Sequence, residues 1–326
     1  MRTRPPLLLT FCFLLCLNGA AQTTQPPMLL WYQQPATVGD SLPYQNGKST
    51  QPFDDRHRKG WVEALPIGNG RMGAMVFGGV PHERIQLNEE TLWAGYRHDE
   101  NNPNAAAALP IVRRLIFEGK EDSAKKIGEE NMLGVPKRVS PFQSMGDVWI
   151  TFPGLAGGQV TNYYRDLDVD QAVASVRFGH GNTTFTREAF ASHPDDVIVL
   201  RFAASEKGSL SLGISLHREK EATAGVQNNT LVLQGRLNVP DAQGVNQGMA
   251  FETHVRPLVK GGAIRTTGNG ITIQGADEVV LLIAQATGYG GRNPREKCRA
   301  ALAAAAKRSY DQLKRRHVED YRKLYG

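Results

Sequence analysis

The sequence is poor in cysteine. Three occur in 326 residues, and two of them, Cys12 and Cys16, lie near the amino terminus. If that stretch is removed on export, only Cys298 remains, which excludes an internal disulfide framework and leaves a small apolar residue on a helix face. After the first 21 residues no apolar run approaches the roughly 20 residues that cross a bilayer. No His-x-x-x-His or Cys/His set occurs, so neither a built metal site nor a cofactor is expected. The strained G-x-S-x-G turn that presents a nucleophilic serine is missing, although a dispersed Ser-His-Asp triad is not excluded by that alone. No period of 20–50 residues is visible, which disfavours propellers and solenoids.

Glycine, by contrast, is abundant, at 34 residues. That suits a turn-rich β protein. Hydrophobic residues are 40% and charged residues 21%, enough for a globular core of one large domain or two ordinary ones. Arg2 and Arg4, the apolar run Leu7 to Leu17 and the small residues Gly19, Ala20 and Ala21 have the order of an export signal over 1–21. The expected product is secreted or periplasmic, with no membrane contact once the signal is cleaved. The net charge of +6 is confined to one segment: from Arg292 to Lys323 eleven Lys/Arg face four Asp/Glu, and the rest nets −1. A nucleic-acid site would want basic residues on a groove with interleaved aromatics, and an exported chain has little access to such a partner, so none is expected.

Residues 22–60 have little periodicity and read as an extended lead-in. Strands are predicted at 73–77, 84–87, 148–152, 172–178, 183–190, 197–202, 210–216, 231–233, 249–255, 271–273 and 279–284. In 210–216, leucine and isoleucine alternate with serine and glycine, the period of a half-buried strand. In 197–202 the run is apolar except for Arg201, as a strand buried on both faces requires. A helical insertion is predicted over about 104–133, with Pro110 in the first turn of its first helix and Ser123–Leu133 as its second. After Gly290 the chain reads as helix, with an apolar stripe of Leu313, Val318, Tyr321 and Leu324 that meets nothing later in the sequence. About ten strands at short intervals predict a mainly β, antiparallel sandwich. The division expected is a leader over 1–21, a β domain over 22–290 and a helical linker over 291–326.

Gly68 to Gly73 spells G-x-G-x-x-G, with Glu89 and Glu90 some 20 residues on, but a dinucleotide site needs a helix after the glycines. Here a strand follows, so the glycines read as a turn. Sugars are gripped by aromatic faces beside amides and carboxylates. Trp61, Trp93 and Tyr96, with Asn69, Arg71, Asn88 and Glu89, form one such candidate set, and core tryptophans are the competing reading. Sugar hydrolysis uses paired carboxyl groups. Glu63, Glu89, Glu90, Asp195 and Asp196 are candidates, although solvated or turn-capping carboxylates are commoner. Asn182 and Asn228 begin glycosylation sequons.

Two long stretches, WVEALPIGNGRMGAMVFGG at 61–79 and ERIQLNEETLWAG at 83–95, resemble the opening motifs of glycoside hydrolase family 95, the inverting α-L-fucosidases. QSMGD at 143–147, YRDLD at 164–168, TREAFASHP at 186–194 and Asp320-Tyr321 are similar in order and spacing, so the resemblance runs over about 28–326. It implies an N-terminal β super-sandwich, then a helical linker, an (α/α) barrel and a C-terminal β domain. It implies a fucosylated oligosaccharide as the partner, with terminal, 1,2-linked α-L-fucosides as the substrates. The family's catalytic groups belong to the barrel, so the resemblance assigns no catalytic residue here and makes the missing barrel an expected partner. A stand-alone carbohydrate-binding or scaffold module without catalysis is the alternative.

Overall fold

A computed structural model describes residues 28–37, 44–45, 48–49, 60–137 and 139–325. The expected export signal and most of the lead-in lie outside the described residues. Two antiparallel sheets face each other. The nine-stranded sheet runs β1 (Leu29–Tyr32), β8 (Val160–Asp168), β9 (Val173–His180), β10 (Thr183–Ser192), β11 (Val197–Ala204), β18 (Glu278–Thr287), β15 (Ala250–Lys260), β14 (Thr230–Arg236) and β13 (Ala222–Gln227). The seven-stranded sheet runs β16 (Ala263–Thr267), β17 (Gly270–Ala276), β12 (Leu210–His217), β7 (Gly146–Thr151), β6 (His82–Glu89), β5 (Met72–Val76) and β4 (Leu65–Gly68). A two-residue ladder joins β2 (Tyr44–Gln45) to β3 (Lys48–Ser49). The last strand in the chain, β18, lies in the middle of its sheet between β11 and β15.

The residue patterns explain these elements. In β12, Leu210, Leu212, Ile214 and Leu216 point between the sheets while Ser211, Gly213, Ser215 and His217 face away. In β11, Ile198, Leu200 and Phe202 enter the inter-sheet core, and Val197 and Val199 enter a second core on the outer face of the larger sheet. That second core is closed by α3 (Pro294–Ala305) and α4 (Tyr310–Tyr325), through Cys298, Leu302, Ala305 and Leu313. Asn293 starts α3: its side chain accepts the N–H groups of Arg295 and Glu296, and Pro294 takes the first helical position.

The fold is the predicted mainly β, antiparallel sandwich, with more strands than the pattern names. Besides the short β2–β3 ladder, those unnamed in the two facing sheets are β1, β4, β8, β13 and β16. Four of the five are the sheet edges, where one neighbour is missing and fewer positions need be apolar. The fifth, β8, lies next to an edge and buries only Arg165.

Two further expectations are corrected. The insertion folds as α1 (Ala105–Phe117) and α2 (Glu121–Asn131), so Pro110 falls inside α1 rather than in its first turn. The alanines upstream are strong enough helix formers to begin the helix before it. The tail stripe is not left open either. Leu313 is fully buried against the larger sheet, and the His317 ring stacks on Phe190 at 4.8 Å. Tyr321 donates a hydrogen bond to the Val169 carbonyl at 2.8 Å, and only Leu324, at the end of the stripe, stands free, 89% exposed. The outer face of β9–β11 supplied the partner that the linear pattern could not reveal. No helix among the described residues is long and apolar enough to cross a membrane.

Candidate functional site

The glycine-rich stretch is the hairpin between β4 and β5. Gly68 pairs with Gly73, and the Asn69 N–H donates to the Met72 carbonyl at 3.0 Å. The Asn69 side-chain oxygen accepts from the N–H groups of Arg71 (3.1 Å) and Met72 (2.8 Å). Gly70 adopts φ +90°, a conformation that favours glycine. The N–H groups of Asn69, Arg71 and Met72 are consumed inside the turn and a strand follows, so no helix N-terminus is there to cradle a pyrophosphate.

From this turn Arg71 reaches the opposite sheet. Its Nε and Nη2 lie 2.9 and 2.5 Å from Asp196 Oδ1, and its Nη1 donates to Glu89 Oε1 at 3.2 Å and to the Gln285 carbonyl at 2.8 Å. Glu89 is buried, and its other oxygen accepts from the N–H (2.8 Å) and hydroxyl (2.6 Å) of Thr91. Asn69 Nδ2 donates to the Ser192 carbonyl at 3.1 Å. Asn69, Arg71 and Glu89 thus meet at one end of the sandwich and tie the smaller sheet to the β10–β11 turn and to β18.

The other candidates are placed differently. Asn88 pairs with Gly73 on the neighbouring rung, with its side chain half-buried. Trp93 follows β6 at the same end. It is 44% exposed, meets Phe142 edge-on at 5.2 Å and donates from Nε1 to the Glu90 carbonyl at 2.9 Å. Tyr96 is close by in sequence and packs on His98 at 4.8 Å. Trp61, 50% exposed, precedes β4 at the opposite end, where Leu65 pairs with Val76. A four-residue strand, roughly 13 Å at about 3.3 Å per residue, separates it from the Arg71 turn. Of the two tryptophans, Trp93 therefore stands at the end of the polar cluster and Trp61 does not.

The candidate carboxylates are held by the fold. Glu63 accepts from the Thr37 N–H and hydroxyl at 2.9 and 2.8 Å. Asp195, buried, accepts from the Ser192 hydroxyl at 2.8 Å and from Arg316 Nε of α4 at 3.0 Å. Asp196 adds Lys297 Nζ of α3 at 3.8 Å to its Arg71 contact. Glu90 alone of the set is exposed at the surface. The turn after β10 is thus a hub: Asp195 holds α4, Asp196 holds α3 and Arg71, and the Ser192 carbonyl holds Asn69.

Sequence reasoning missed the buried charges. Glu83 and Arg187 pair at 3.1 Å inside the sandwich. Arg187 also donates to the carbonyls of Gly79 and Val80, and its guanidinium lies 4.1 Å from the Phe152 ring centroid. Burial pushes the Glu83 carboxyl up, against the pull of Arg187. Arg84 grips Asp147 with two hydrogen bonds of 3.1 Å. On the outer face of the larger sheet Glu188 accepts from Tyr310 at 2.7 Å and from Lys314. The available signal was the side of β10 on which Arg187 lies, the one that carries the apolar Phe185, Ala189 and Ala191 at alternate positions. Burial pushes the Cys298 thiol far up, consistent with an inert packed residue. Among the described residues no group of three or more His, Cys, Asp and Glu side chains is placed to hold a metal.

Residues 30–292 match the family model described as glycosyl hydrolase family 65, N-terminal domain. The chain is 33% identical over 299 residues to a protein of Arabidopsis thaliana named alpha-L-fucosidase 2, covering 82% of this chain and 35% of that one. It is 29% identical over 331 residues to the probable alpha-fucosidase A of Aspergillus niger, covering 92% of this chain and 40% of that one. The chain therefore spans between a third and two fifths of these relatives. A solved structure described as a putative kojibiose phosphorylase from human microbiome aligns over 80% of this chain and 35% of its own. Its identity is 9% and its TM-score 0.43, too low to carry an argument. The matching model is named for family 65 and the curated relatives are fucosidases; both agree on the N-terminal domain of a glycoside hydrolase.

Proposed function

The chain belongs to the family of glycosyl hydrolase family 65 N-terminal domains, and from that premise we propose that it is the amino-terminal module of an exported α-L-fucosidase-type enzyme. The observation that carries this reading is the continuous match over 30–292, together with relatives named as fucosidases. In this reading the module serves a catalytic barrel, and the whole enzyme hydrolyses terminal 1,2-linked α-L-fucosides. The engagement of Glu63, Glu89, Asp195 and Asp196 in ion pairs and turn bonds supports a structural rather than a catalytic role for them. Export is supported by the basic, apolar and small-residue order of 1–21.

Two measurements test this. The coding DNA beyond codon 326 is expected to encode barrel sequence similar to that of the relatives, and unrelated sequence there counts against the reading. The purified chain alone is expected to release no fucose from an α-1,2-fucosylated oligosaccharide; release would overturn the assignment of catalysis to a separate barrel.

A second reading, a stand-alone carbohydrate-binding module, rests on the exposed Trp93–Phe142 pair beside the polar Arg71 cluster. It requires saturable binding of a fucosylated oligosaccharide that Trp93→Ala abolishes.

A further inference from the structure

The outer face of the nine-stranded sheet is only partly covered by α3. Beyond that helix, toward the edge strand β13, a cleft of about 380 Å³ lies open. Its floor is Val232, His254 and Arg256 on β14 and β15, and its wall is Arg299 and Leu302 on α3. The β13–β14 turn closes one end with Gln227, Asn228 and Thr230. No lining residue is acidic.

Both arginines are exposed, and neither takes part in an ion pair among the described residues. Arg299 makes one long contact, 3.4 Å, to the Gln227 side-chain oxygen. His254 is 2% exposed and bonds Glu252 through Nε2 at 2.7 Å. Nδ1 of this cleft-lining ring makes no hydrogen bond among the described residues. The nearest carboxylate, Glu252, is already held by Arg295 Nε at 3.1 Å and by His254. The cleft therefore offers two uncommitted guanidinium groups, an imidazole nitrogen, amides and a hydroxyl, with no negative charge of its own to satisfy them. Guanidinium groups match carboxylate and sulfate geometry with paired hydrogen bonds, and amides and hydroxyls suit sugar hydroxyls.

We propose that this cleft binds the anionic group of an acidic glycan, a uronic acid carboxylate held between Arg256 and Arg299 with the sugar ring against Thr230, Asn228 and Gln227. The site is separate from the Trp93–Arg71 end and does not depend on the fucosidase reading. His254 gives it a pH dependence. The groups facing the imidazole are Glu252 and Arg256 on its own strand and Arg295 and Arg299 on α3, while Val232 on β14 and Ala284 on β18 are its apolar rung neighbours. Burial pushes the imidazole below its usual range, the Glu252 carboxylate pulls it back, and Arg299 and Arg295 add to the downward push. A bound anion offsets the positive charge around it and favours the protonated ring, so affinity rises as pH falls toward the imidazole's titration.

The test is calorimetric titration of the full chain with a uronic acid trimer, with the neutral hexose trimer of the same linkage, and with inorganic sulfate. The uronate trimer is expected to bind saturably, the neutral trimer at least about tenfold more weakly, and sulfate to compete. Arg256→Gln and Arg299→Gln are each expected to weaken uronate binding by roughly tenfold, the scale of one lost charge-assisted hydrogen bond. Arg265→Gln, an exposed arginine on β16 of the other sheet, is expected to leave it unchanged. Unchanged melting temperatures establish that the variants fold. No saturation with uronate, equal binding of the neutral trimer, or a double Arg256/Arg299 variant that binds like the parent overturns the proposal.

Discussion

Arg71 crosses from the smaller sheet to Asp196 in the larger one, with two guanidinium nitrogens 2.9 and 2.5 Å from a single carboxylate oxygen. The same guanidinium neutralises the buried Glu89. Arg71→Met is therefore expected to cost about 3 kcal/mol, because it leaves a buried carboxylate uncompensated. Adding Glu89→Gln should recover part of that loss. Urea unfolding of the two variants reads this directly, and a loss under about 1 kcal/mol in Arg71→Met would show that the strut is dispensable.

Glu83 and Arg187 form the more deeply buried pair. Arg187→Met should be the more damaging change, on the order of 3–5 kcal/mol, since Glu83 would also lose its counter-charge away from water. Soluble expression and the urea midpoint check this. A variant as stable as the parent would contradict the burial of the pair.

The tail helices divide into a docked part and a free end. Leu313→Ala should cost about 2–5 kcal/mol of tail docking by opening a cavity against the larger sheet. Leu324→Ala should stay within about 0.5 kcal/mol because that side chain stands in solvent. Hydrogen exchange across 310–325 distinguishes them: faster exchange in Leu313→Ala alone is expected, and equal behaviour of the two variants would refute the docked register.

Acid should release the same helix. Burial pushes the Glu188 carboxyl up, but hydrogen bonds from Lys314 and Tyr310 outweigh it and hold the group below its usual range. A carboxyl depressed in the folded state stabilises docking above its unfolded pKa, about 4.3, and loses that contribution as pH falls through its folded value. Protease cleavage within α4 should therefore rise below about pH 4. In Glu188→Gln the dependence on pH should flatten. An unchanged pH profile in that variant would assign the effect to another group.

Much of the sandwich is legible because the inter-sheet core imposes a period of two on β12, and that core together with the second core under the helices imposes a continuous apolar run on β11 and β18. The edges are not legible, since β1, β13 and β16 bury no residue fully and β4, which buries Leu65 and Ile67, is only four residues long. Asn69, Arg71 and Glu89 could be selected as a set because they lie close along the chain, and the β4–β6 meander brings them together. What they meet could not be read. Asp196 is 125 residues from Arg71, and the ion pair ties a polar cluster that resembles a sugar site in composition to the larger sheet. Trp61 was grouped with them by proximity in sequence, and the length of β4 separates it from them. The docked face of α4 was hidden for the same reason: its partners Phe190 and Val169 lie far upstream.

The position of β18 has a consequence for how the chain is made. A ribosome delivers β11, which ends at Ala204, well before the strand that must lie beside it, and β15, which ends at Lys260, shortly before that strand opens at Glu278, so two apolar, hydrogen-bond-hungry seams wait in the nascent chain for β18 to emerge. Until then the larger sheet exists as two halves with no shared register, and each open seam can pair with another chain. A polypeptide cut short before residue 278 would be missing its middle, not a rim, and its fate would be aggregation or degradation, not a smaller domain.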